Sequence, residues 1–154
     1  MSQMFTANDG ANELKLLQEY LPAMLDPNNA IRRQAQVALA AYRAGICVFC
    51  NLSTGGFDTH GDHDNLHIPR LQGLLEGIDG IMEEAALQQV ADNVIVVVGS
   101  DFGRTPGYNA NNGKDHWSIT SMMMMGKGIT GNRVVGASTD RHQPLTIDPS
   151  SLAV

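Results

Sequence analysis

Hydrophobic and polar positions along this chain switch between a helical and an extended period, and the switches divide it into elements. Leu14, Leu17, Leu21 and Met24, with Tyr20 and Leu25, recur at helical spacing. Asp26-Pro27 then reads as a cap with proline at the first helical position. It opens a second helix with Ile31, Ala35, Ala38, Leu39 and Tyr42 on one face, and Gly45 closes it. Residues 46–52 are an apolar run that predicts a first strand, and residues 53–65, dense in Gly, Asp and His, predict a loop. Leu71, Leu74, Leu75, Ile78, Ile81, Met82 and Ala85 mark a third helix. Its Gly73, Gly77 and Gly80 each cost about 1 kcal/mol relative to Ala, which points to close packing against a sheet.

Val94 to Val98 is β-branched without alternation, the pattern of a strand covered on both faces. Strand, long helix and strand make a βαβ unit, so the two strands are expected to run parallel with a right-handed crossover. A Gly- and Asn-rich loop over residues 100–118 leads to a third apolar strand, Ile119 to Met125, and Arg133 to Gly136 reads as a short pairing segment. The Met122–Met125 run is expected to fill core, because consecutive strand residues face opposite sides. Residues 1–10 and 140–154 show no firm periodicity and are expected to be loosely ordered.

The chain has 154 residues, 43% hydrophobic and 17% charged, enough for one globular domain with a real core. A net charge of −6 with ten scattered Lys and Arg argues against a nucleic-acid surface. No apolar run approaches the roughly 20 residues of a membrane span. The first residues lack a basic stretch followed by an apolar one, so no export signal is visible in this chain. Cys47 and Cys50 form a C-x-x-C inside the apolar run. A thioredoxin-type pair needs a helix N-terminus and a zinc site needs further ligands, so the pair reads as two small buried hydrophobes on a strand, inert to thiol reagents.

Three polar clusters carry the candidate chemistry: Gly55 to His60 (GGFDTH), Ser100 to Pro106 (SDFGRTP) and Gly113 to Trp117 (GKDHW). In open α/β sheets, ligands bind beyond the carboxyl ends of the strands, where Asp58, His60 and Asp101 are expected. His116 precedes its strand and joins them only if that strand runs antiparallel to its neighbour. An Asp, His, Asp, His set suits zinc, manganese or another divalent ion. The structural alternative is that Asp58 and Asp101 serve only as turn residues. Arg104 has two readings, a clamp on a phosphate or sulfate oxygen or a partner for a nearby acid. Asp62, His63, Asp64 and His67 read as solvated loop residues, the alternative being that one of them supplies an extra ligand. Asp101-Phe102-Gly103 imitates a kinase motif, but no Gly-rich loop or catalytic-loop motif accompanies it.

These three motifs, followed by an apolar strand and Gly126 to Gly131 (GKGITG), resemble the family called domain of unknown function 1501, over roughly residues 35–140. The resemblance implies the alkaline-phosphatase-like superfamily, with sulfatases and phosphomutases, and hence an α/β fold. That fold is a three-layer α/β/α sandwich on a mostly parallel sheet, here a single partial domain over residues 1–154 corresponding to the C-terminal half. It implies a two-metal site in which Asp58, His60 and His116 serve the first metal and Asp101 belongs to an Asp-His pair. Asp115 is placed to bind metal or orient His116. Zinc, manganese or calcium are the metals to expect. Members resemble exported bacterial proteins, often with a twin-arginine signal and several hundred residues long, so a periplasmic or exported setting follows.

Two departures bear on activity. Phe102 stands where hydrolysing relatives carry a second-metal His, and no counterpart of the nucleophile precedes residue 46. The resemblance implies that the intact domain hydrolyses a small anionic phosphate or sulfate ester, while the two departures lead to the expectation that this chain alone is inactive. The alternative is a non-catalytic, metal-stabilised binding or scaffold domain, and thiol redox through Cys47 and Cys50 is a third reading. Uncovered strand edges and helix faces of a half-domain predict self-association.

Overall fold

The computed structural model describes residues 2–154, with side chains described from Gly10 onward. The helices are α1 (Ser2–Tyr20), α2 (Ala30–Arg43) and α3 (His63–Leu87), followed by a 3-10 turn at Ala91–Asn93. The strands are β1 (Ile95–Val98), β2 (Gly103–Arg104), β3 (His116–Trp117) and β4 (Met123–Gly126). The chain divides into two compact units, one of Met1–Phe57 with Ile68–Asp92, the other of Asp58–His67 with Asn93–Val154.

The first unit is helical. Asn29, not Asp26, caps α2: its side-chain oxygen accepts from the Arg32 N–H at 3.0 Å, and its amide donates to the Gly73 carbonyl at 2.9 Å. Asp26 makes the turn before it, accepting from the Asn28 and Asn29 N–H groups at 2.8 Å each. The helix therefore starts later than the Asp-Pro pair indicates, because Asp26 is spent on the turn. Gly45 ends α2 with φ +73°; its N–H reaches the Tyr42 carbonyl and that of Ile46 reaches Ala41, the paired bonds of a Schellman cap.

Ile31, Ala35, Leu39 and Ala40 of α2 are buried, as are Ile78, Ile81 and Ala85 of α3 and Val90 beyond it. A methyl group added at Gly77 would sit 2.6 Å from Ile31 Cβ, and one at Gly80 would sit 2.8 Å from Arg32 Cγ. Those glycines admit α2, not a sheet, against α3. Salt bridges from Arg32 to Glu83 (2.8 Å) and Asp26 (3.6 Å) flank this contact.

The expected α/β/α sandwich is not formed. Among the described residues the sheets are two antiparallel pairs, β1 with β4 and β2 with β3, and there is no parallel sheet and no βαβ unit. The first expected strand is absent: residues 46–52 belong to no ladder, and Val48 and Phe49 are 94% and 78% exposed. An apolar run becomes a strand only if an edge is offered to its N–H and C=O groups. Here Gln34 on α2 takes Ser53 instead, donating to its carbonyl and accepting from its N–H, both at 2.9 Å.

In the second unit β1 alternates, with Ile95 and Val97 more than half exposed, so the expectation of a strand covered on both faces also fails. Its partner β4 takes only the last three residues of the expected third strand and adds Gly126, and it runs antiparallel, pairing Ile95 with Gly126 and Val98 with Met123. Met122, Met123 and Met124 are exposed and Met125 is half-buried, so the expected core role of the methionine run fails. Residues 133–136 form no strand, and Val134 is 92% exposed.

Candidate metal centre

The second unit brings two of the three motifs together through a backbone zipper. The Lys114 N–H donates to the Thr59 carbonyl (3.1 Å), Asp62 N–H to Asn111 (3.1 Å) and His63 N–H to Asn112 (2.9 Å). The last two bonds satisfy N–H groups at the start of α3 that a helix cannot pair for itself. They explain why α3 begins at His63, inside the expected loop. Gly113 makes the approach feasible, since a Cβ there would lie 2.0 Å from the backbone of His60.

Asn109 locks the turn. Its side-chain oxygen accepts from the N–H groups of Asn111 and Gly113, both at 2.9 Å, and its amide donates to the His60 carbonyl and to Asp115. The second motif, Ser100 to Pro106, enters through the β2–β3 ladder, which sets Arg104 directly opposite His116 and Gly103 opposite Trp117.

The result is a three-residue cluster. Asp58 Oδ1 lies 2.5 Å from Arg104 Nη2, 2.9 Å from His116 Nε2 and 3.1 Å from His60 Nδ1. An ionised carboxylate only accepts, so His116 Nε2 and the Arg104 guanidinium donate to it, while His60 Nδ1 stands beside it as an electrostatic neighbour. These donors, His116 first and then Arg104, hold the Asp58 carboxyl at about 2, below its ordinary 3.8. Phe102 stacks on the His116 ring with centroids 3.8 Å apart and a 13° tilt, fixing its plane, and the Arg104 guanidinium covers the Phe102 ring at 4.9 Å. Arg104 also donates to the Lys114 carbonyl at 2.7 Å.

One carboxylate oxygen and one nitrogen from each of His60 and His116 lie within 4.8 Å of one another, and all three residues are exposed. Donors held at about 2.0–2.1 Å in a tetrahedral shell sit roughly 3.4 Å apart, so side-chain adjustments of about 1 Å would close the set. The donor chemistry fits a divalent ion of borderline softness. Ligation requires the facing ring nitrogens to be unprotonated and Asp58 to exchange Arg104 for the ion.

The sequence-predicted residues thus divide. Asp58, His60 and His116 converge, and Arg104 is directed at Asp58. Asp101 is exposed and stands outside the three-residue group. Asp115 also stands outside it and accepts from Asn109 at 3.0 Å. At the start of α3, His63 is buried rather than solvated: its Nδ1 lies 2.6 Å from the Thr59 hydroxyl, and its ring stacks on His67 at 4.4 Å. Burial, then the neighbouring His63, pushes the His67 imidazole below its ordinary value. Asp64 accepts from the Tyr108 hydroxyl at 2.8 Å. The roles of Phe102 and Asn109 had no sequence signal beyond their places in the second motif and the Asn-rich loop.

With this geometry in view, comparison with protein families gives a match to the model described as "Protein of unknown function (DUF1501)", over residues 11–151. The chain belongs to this family. The match runs through all three motifs and extends past the region of resemblance at both ends. No curated protein and no solved structure matches the chain. Among the described residues no helix is long and apolar enough to cross a membrane.

Proposed function

We propose that this member of the DUF1501 family binds a divalent metal ion through Asp58, His60 and His116, and that the chain by itself binds without turnover. The observation supporting this reading is the approach of one carboxylate oxygen and two imidazole nitrogens to within 4.8 Å, on an exposed surface that leaves room for a further ligand. Asp58 supplies the negative charge, and Phe102 keeps the His116 ring in plane. When bound, a divalent ion would neutralise ester oxygens and lower the pKa of a nucleophile.

The motif resemblance to alkaline-phosphatase-like enzymes supports a phosphate or sulfate ester as the substrate class of a complete site. Within this chain a binding role is favoured by the hydroxyl nearest the cluster in sequence. Thr59 is buried and faces His63 Nδ1.

Calorimetric titration with zinc, manganese and calcium tests the metal reading. Replacing His60 or His116 by Ala should weaken binding by roughly 10-fold or more, whereas Cys47→Ala should leave it unchanged. Equal affinity in parent and histidine variants would overturn it. An aryl phosphate or sulfate assay in the same buffers should give no turnover. Robust turnover abolished by Asp101→Ala would establish a complete enzyme instead.

A further inference from the structure

The C-x-x-C motif takes no part in the metal cluster, and its surroundings differ from those of a buried strand pair. Cys47 is half-buried, Cys50 is exposed, and their sulfurs lie 3.3 Å apart. Residues 46–53 form an excursion clipped at both ends. The Ile46 N–H bonds the Ala41 carbonyl at one end, and Ser53 bonds Gln34 at the other. Between the clips no ladder holds the backbone, so both sulfurs can move the short distance to a bond of about 2.05 Å without breaking secondary structure. Val48 and Phe49, the two residues a bond would bracket, project into solvent.

We infer that Cys47 and Cys50 are a dithiol that converts reversibly to an intrachain disulfide, making residues 46–53 a redox-responsive loop. The oxidant class is a low-molecular-weight disulfide such as oxidised glutathione. The Cys50 thiolate, the accessible one, attacks a glutathione sulfur and releases one glutathione thiolate, leaving a mixed disulfide on Cys50. The Cys47 thiol then loses its proton to solvent and attacks the Cys50 sulfur, expelling the second glutathione. Two protein thiols are oxidised, one glutathione disulfide is reduced, and the reverse sequence with reduced glutathione restores the dithiol. Burial and the neighbouring Cys50 push the Cys47 thiol above its ordinary value, consistent with Cys47 acting second, when its target is already within 3.3 Å.

The test uses the full chain, kept with a metal chelator so that the Asp58 cluster plays no part. After incubation with excess oxidised glutathione, alkylation and mass spectrometry should find both thiols lost together in a monomeric product, and dithiothreitol should restore both. Cys47→Ser should instead retain glutathione on Cys50 as a stable adduct. Circular dichroism of each sample checks that the helices persist. Two alkylatable thiols after oxidation, disulfide-linked dimers as the product, or no adduct on the folded Cys47→Ser variant would each overturn the inference.

Discussion

Gly113→Ala puts the heaviest load on the smallest change. The added Cβ would lie 2.0 Å from the His60 carbonyl carbon and oxygen and 2.4 Å from the Gly61 nitrogen. Carbon contacts settle near 3.5–4.0 Å, so the two loops must part by roughly 1.5 Å. The obstruction is backbone on both sides, and no rotamer relieves it. The zipper bonds of 2.9–3.1 Å from Lys114, Asp62 and His63 would then stretch beyond hydrogen-bonding range. Three such bonds, each contributing about 0.5–1.5 kcal/mol, give a loss of roughly 2–4 kcal/mol.

Trp117 is the chain's single tryptophan, and it lies on β3 beside His116. Its fluorescence in a urea titration therefore reports on this unit. At ordinary slopes the midpoint should fall by about 1–2 M. Gly107→Ala is the control in the same loop, because a Cβ there meets nothing within 4 Å. A Gly113→Ala transition overlying those of the parent and the control would refute the zipper as the device that assembles the cluster.

Two further outcomes follow from the same contacts. Gly77→Ala should destabilise the helical unit, since overpacking against Ile31 at 2.6 Å costs about 1–3 kcal/mol and outweighs the propensity gain of about 1. Gly73→Ala has open space and should stabilise it by up to about 1 kcal/mol; thermal melts followed by circular dichroism that shift both variants the same way would contradict this. The folded-state pKa of Asp58, lowered from 3.8 to about 2, means its stabilising contribution is complete above the unfolded value and is lost as pH falls toward 2. With chelator present, the midpoint difference between the parent and Asp58→Asn should shrink as pH falls from about 4 and vanish below about pH 2, and a difference that grows over that window would refute the pairing.

Helix existence was legible in the chain because amphipathic spacing and local caps are properties of neighbouring residues. Ile31, Ala35 and Leu39 of the expected α2 face are buried and Gly45 ends that helix, while the expected α3 face is buried at Ile78, Ile81 and Ala85 but exposed at Leu71 and Leu75. Three of the residues read as metal ligands, Asp58, His60 and His116, also come together.

Strand pairing was not legible, because an apolar run specifies no partner. Residues 46–52 and 94–98 look equally strand-like, yet one is clipped to Gln34 and the other pairs with β4. Direction was equally silent: the long helix between two apolar runs implied a parallel crossover, and hydrogen bonding supplied two antiparallel ladders. Tertiary contacts likewise set the start of α3, through carbonyls at residues 111 and 112 that lie far along the chain. Asp101 and Asp115 had the same local credentials as Asp58. Only the 58–63 with 109–114 zipper and the two-residue β2–β3 ladder decide which carboxylate meets the histidines, because long-range backbone pairing has no local signature to read.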